Sequence, residues 1–192
     1  MRGSRWRSLA VGDITTQPTD LLSMLECIMF GSILDCSMKV RVATHNDVSL
    51  IVSFIHKKSE FDRNIGAFSG MLRVSEDKVS KTLFGAIPFA YVLFAESLDI
   101  EVGFALYGFR YSSFICQPSI WLDDQYVDAQ MRSQSAGAML MDELARIAKV
   151  TDCSHLAWNA DARNTRGISF YHRLGAEIIE QHGNRCFFKW IP

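Results

Sequence analysis

Across residues 120–149 an apolar, strand-forming run gives way to a helix at one short junction. Ile120-Trp121-Leu122 and Tyr126-Val127 carry the run. Asp128-Ala129-Gln130-Met131 and Arg132-Ser133-Gln134-Ser135-Ala136-Gly137 follow, and then Leu140, Leu144, Ile147 and Ala148 recur at helical spacing. A strand delivered straight into an amphipathic helix requires a sheet with a helix packed on it. The junction also suits an anion, because small residues leave the first N–H groups of the helix reachable and the helix dipole favours negative charge there. Arg132 adds a fixed cation. The same residues equally fit a loop that enters a helix on small side chains for tight packing, so the rest of the chain must decide.

Upstream, Val40 and Val42 alternate with Lys39 and Arg41 in a short strand. Thr44, with Asp47 three residues on, caps a helix whose Val48, Ile51, Val52 and Ile55 form one stripe. Gly66 and Gly70 break the pattern, and Ser75-Glu76-Asp77 starts a short helix that carries Val79, Leu83 and Phe84 inward. Residues 89–95, 100–109 and 120–127 read as strands, the first two as a hairpin, with a loop around Gln117-Pro118. On the polar side of the helix after Gly137, Asp142 and Arg146 stand as an i,i+4 pair. Residues 155–158 form a strand. Ile168, Tyr171 and Leu174 mark a helix that Gly175 ends, and a terminal hairpin spans 176–179 and 186–190. This order predicts an α/β (α+β) fold with a mixed, mostly antiparallel central sheet and helices on both faces.

A chain of 192 residues holds one ordinary domain with an extension. Periodic sequence begins at Met38, so 38–192 is expected to be the domain. Residues 1–37, with Arg2, Arg5 and Arg7 set against Asp13, Asp20 and Glu26, are expected to be a leader, a read-through or a peripheral extension. A formal net charge of −1 lacks the basic excess that nucleic acid demands. No uncharged apolar run reaches the ~20 residues that a membrane span needs. The five cysteines are odd in number and form no C-x-x-C pair, which suits reduced thiols in the cytoplasm. The five histidines lack metal-ligand spacing, so no metal is expected.

Context for the junction comes from a resemblance. Arg132-x-x-Ser135-x-Gly137 after a strand resembles the R-x-x-G-x-G/A pyrophosphate signature of the GNAT superfamily of acetyl-CoA-dependent N-acetyltransferases. Val102-Gly103-Phe104-Ala105-Leu106-Tyr107, residues 120–127, and Asn164 through Phe170-Tyr171-His172-Arg173-Leu174-Gly175-Ala176 are similar to its diamine (spermidine/spermine, thialysine) acetyltransferase branch, as are Leu83-Phe84-Gly85 and Pro88-Phe89. The resemblance keeps its order over roughly residues 39–191. It implies an acyl-CoA N-acyltransferase-like fold, acetyl-CoA as cosubstrate, a small-molecule amine as acceptor and a homodimer. It further implies cofactor contacts from Gln125, Tyr126, Val127, Arg132, Ser133, Gln134, Ser135, Ala136, Gly137, Ala138 and Asn164. Ser133 and Ser135 depart from the pattern, standing where glycine is common, so that a Cβ must be fitted close to the pyrophosphate.

Acetyl transfer to an amine needs a deprotonated amine, a polarised carbonyl and a proton for the leaving thiolate. Asp123 and Asp124 are unusual in an otherwise apolar run, because an unpaired buried charge is costly. In a regular strand they point to opposite faces, which a bulge would change, and an exposed edge with solvated aspartates is the alternative. By resemblance, Asp123 takes the place of a water-mediated base and Asp124 that of an amine contact. Tyr171, by itself an aromatic in a helical stripe, becomes by resemblance the general acid, suited by a phenol pKa of about 10. Two other readings stay open: a non-catalytic acetyl-CoA-binding module, motivated by the two serines, and an enzyme acting on protein N-termini or lysines.

Overall fold

The computed structural model describes residues 38–192; the expectation for residues 1–37 lies outside the described residues. Strand β1 (Lys39–Val42) is followed by helices α1 (Val48–Asn64) and α2 (Glu76–Leu83), strands β2 (Tyr91–Ser97), β3 (Ile100–Ser112) and β4 (Gln117–Val127), helix α3 (Ala136–Val150), strand β5 (Leu156–Asp161), helix α4 (Thr165–Arg173) and strands β6 (Glu177–His182) and β7 (Arg185–Trp190). The seven strands form one sheet in the order β1-β2-β3-β4-β5-β7-β6. Only β4 and β5 run parallel, over Ile120↔Leu156 and Trp121↔Ala157, joined through α3 as a parallel crossover requires.

Local chemistry sets the ends of these elements. The Asp47 carboxylate accepts the Thr44 N–H at 2.7 Å and its hydroxyl at 2.9 Å at the entry to α1. Ser75 accepts the Lys78 N–H at the start of α2. Gly175 closes α4 with a φ of +85°, a conformation that costs a residue with a Cβ. Two features differ from the sequence-based expectation. Pro118 lies inside β4, near its start, where its missing N–H costs little and its carbonyl accepts the Ser154 N–H at 2.9 Å. Arg146 pairs with Glu143, at 2.7 and 2.8 Å, rather than with Asp142, because Glu143 has the longer side chain and meets the guanidinium with both oxygens.

Period-two alternation gives the sheet two apolar faces. Val92, Phe94 and Phe104 pack with Val48, Ile51 and Phe54 of α1 and Val79 of α2. Leu93, Ala95 and Ala105 pack with Leu140, Met141 and Leu144 of α3. A bulge interrupts this alternation in β4: Leu106 pairs with Asp124 while Tyr107 pairs with Leu122, which leaves Asp123 as the extra residue. One inserted residue exchanges the faces beyond it. Leu122 therefore belongs to the α3 core, whereas Asp124 and Tyr126 turn toward α1.

Candidate active site

Beyond Trp121 the paired registers of β4 and β5 end, and two clefts that share a wall open beside β4. The first is lined by β4 from Gln125 to Val127, the loop to α3, and the start of α4. It gathers Gln125, Tyr126, Val127, Arg132, Ser133, Ser135, Gly137, Ala138, Asn164 and Tyr171 of the residues singled out above. Gln134 and Ala136 do not line it: the Gln134 side chain reaches back to the Gln130 carbonyl, and Ala136, the first residue of α3, is buried in the core. Sequence reasoning missed Phe61, Arg166 and Arg173 as lining residues. Their signal was weak, because isolated arginines and a phenylalanine in a helix stripe are common anywhere.

Three arginines and no carboxylate line this first cleft, which makes it electropositive. Arg132 is held in place: its Nε donates to the Val127 carbonyl at 2.9 Å, and its guanidinium lies 5.0 Å from the centre of Phe61 and 5.5 Å from that of Tyr126. Ser133 and Ser135 take φ of +69° and +70°, so the loop keeps a backbone that glycine would adopt without strain. Ser133 Oγ accepts from Arg166 at 2.9 Å, tying the loop to α4. Gln125 Nε2 donates to the Gly137 carbonyl at 2.9 Å and ties β4 to α3. Asn164 accepts the Gly167 N–H at 3.0 Å and so caps α4. A left-handed loop, the N-terminal N–H groups of α3 and fixed guanidinium groups together suit a pyrophosphate.

The second cleft has the opposite character. Asp62, Asp123, Asp124 and Asp161 line it, with Lys58 and Arg185 as its cations. Asp123 is exposed at the bulge, and Asp124 is half-buried, its Oδ1 3.3 Å from Lys58 Nζ. Burial pushes the Asp124 carboxyl up to about 6, and Asp123 adds to the rise, although Lys58 opposes it. Lys58 and Asp62 were not foreseen; lysine and aspartate four apart on a helix usually form a solvated pair.

Gln125, Asn164 and Tyr171 line both clefts. Tyr171 is buried, with ring centres 4.9 Å from Trp158, 5.2 Å from Phe188 and 5.3 Å from Phe170. Burial, reinforced by the Asp124 and Asp62 carboxylates, pushes its phenol well above the usual range and keeps it protonated. Among the described residues no group of three or more His, Cys, Asp or Glu is arranged to hold a metal ion. No described helix is long and apolar enough to cross a membrane.

Residues 69–176 match the profile of the Acetyltransferase (GNAT) family. Over 157 residues the chain is 30% identical to a thialysine N-epsilon-acetyltransferase of Bos taurus, covering 77% of this chain and 89% of that protein. An L-ornithine N5-acetyltransferase of Arabidopsis thaliana is 20% identical over 188 residues, 74% of this chain and 81% of its own. In fold, the chain is similar to the PaiA N-acetyltransferase of Thermoplasma acidophilum solved in complex with coenzyme A, with a TM-score of 0.65 at 15% identity over 81% of this chain and 99% of that one. An electropositive cleft and an acidic cleft meeting at one buried tyrosine are thus set in a chain that belongs to the GNAT acetyltransferase family.

Proposed function

We propose that this chain moves the acetyl group of acetyl-CoA to a primary amine of a small molecule (a polyamine, or a thialysine- or lysine-like compound) by direct attack in a ternary complex. The observation that carries the reading is the meeting of two clefts of opposite charge at Tyr171. Acetyl-CoA supplies an activated acetyl carbonyl. Arg132, the loop through Gly137 and the first turn of α3 hold its pyrophosphate, and the edge of β4 from Gln125 to Val127 faces its pantetheine arm. Asn164, at the start of α4, borders both ligands.

Asp124 draws the ammonium form of the acceptor into the second cleft, and Asp123, exposed at the bulge, takes its proton through water. Tyr171, kept protonated by burial, donates a proton to the departing thiolate. The names of the thialysine and ornithine enzymes among the relatives support a diamine as acceptor. A thiol-release assay with acetyl-CoA over diamines, polyamines and lysine analogues tests the reading; absence of turnover with every amine sinks it.

A binding-only module is the second reading, favoured by the serines at the left-handed positions 133 and 135. Calorimetric binding of acetyl-CoA without turnover would select it. The free thiols Cys116, Cys153 and Cys186 support a cytoplasmic enzyme. The exposed aromatics Tyr111 and Phe114 at the β3–β4 hairpin support a homodimer, which light scattering of the purified protein checks.

A further inference from the structure

The second cleft already contains an ammonium group. Lys58 of α1 is largely buried, and its Nζ is ion-paired with Asp62 one turn further along the helix and lies 3.3 Å from Asp124. Burial acts to lower its pKa, but the Asp124 and Asp62 carboxylates more than offset this, so the group stays charged. It occupies the position for which an acceptor ammonium would compete, because the bulge at Asp123 turns Asp124 onto the face that Lys58 and Asp62 share.

Resting on the acceptor reading above, we propose that Lys58 selects the charge class of the acceptor: it replaces one substrate ammonium, so the cleft favours α,ω-diamino acids over linear amines with three or more ammonium groups. Two lining carboxylates are engaged by Lys58, and Asp161 is engaged by Arg163 at 2.7 Å. Asp123 is the one lining carboxylate among the described residues outside an ion pair. A polycation would set several positive charges against one uncommitted carboxylate and two fixed cations. A diamino acid brings a single net positive charge, and Arg185, which also lines the cleft, offers its carboxylate a partner.

The test measures kcat/KM for thialysine and for spermidine in the wild-type protein, Lys58→Met and Lys58→Arg, with coenzyme A titrations confirming that each variant is folded. Wild type is expected to prefer thialysine. Lys58→Met is expected to raise the spermidine-to-thialysine ratio by about tenfold, mainly through KM, and Lys58→Arg to keep the wild-type ratio. If Lys58→Met does not fold, Lys58→Gln is read the same way. An unchanged ratio in the uncharged variant, or a wild type that prefers spermidine, overturns the role of Lys58 while leaving acetyl transfer intact. A wild type that acetylates neither amine, nor any other in the panel, overturns the acceptor reading as well.

Discussion

Tyr171 packs its ring among Trp158, Phe170 and Phe188 and borders both clefts, so its two contributions can be separated. Tyr171→Phe keeps the packing and removes the proton. Its kcat is expected to fall by about 10²-fold or more, the usual worth of a general acid, with coenzyme A binding retained by calorimetry. Asp124 makes a pH-dependent prediction. Its pKa is raised to about 6, so below that value it is protonated and can neither attract an ammonium nor hold negative charge beside it. The acid limb of kcat/KM is therefore expected to rise with pH to about 6 and then level. In Asp124→Asn this limb should disappear and kcat/KM should drop by roughly 10²-fold; a limb that persists near pH 6 assigns it to another group.

At the scale of elements, the β4 bulge and the loop before α3 define the site. The loop carries two serines in left-handed backbone, each costing roughly 1 kcal/mol against glycine. Ser133 recovers part of that cost from Arg166, whereas the Ser135 side chain makes no capping hydrogen bond. Ser135→Gly is therefore expected to raise stability by up to about 1 kcal/mol in urea titrations and to tighten acetyl-CoA binding, since the loop shape is kept and a Cβ is removed. Weaker binding would mean that the Ser135 hydroxyl contacts the phosphates.

For the molecule as a whole, the edge strand β1 is fastened by charge as well as by pairing. Arg41 donates to Asp47 at 2.8 Å and ion-pairs with Glu96 of β2 and Glu101 of β3. Replacing it would leave three clustered carboxylates, so Arg41→Met is expected to cost about 2–4 kcal/mol in urea titrations, less than a fully buried pair because the site is partly exposed. The Arg41 guanidinium holds the Asp47 carboxyl down at about 2. A depressed carboxylate stabilises the fold above its unfolded value near 3.8, and that contribution is lost as pH falls through about 2. Acid unfolding of the wild type should sharpen between about pH 4 and 2, and Arg41→Met should unfold at higher pH.

Element order and type were legible in the sequence because each helix and strand shows its own period: the stripe of α1, the switch from β4 to α3, and the Gly175 stop after α4 all stand where that period puts them. Much of the electropositive cleft was legible too, since the loop from Arg132 to Gly137 and the nearby β4 residues are nearly contiguous in the chain. Among its charged groups, the acidic cleft was legible only in Asp123 and Asp124, two carboxylates in an otherwise apolar strand. Its charged members come from α1, β4, β5 and β7, and nothing local marks Lys58 and Asp62 as facing Asp124. One inserted residue at Asp123 decided that encounter, because a bulge depends on how β3 pairs with β4. The sequence alone thus determined the architecture and the residues of the loop before α3, where the information is local and periodic. Tertiary structure alone decided which carboxylates share a site and which pKa values shift, because burial and charge proximity exist only once distant elements are packed together.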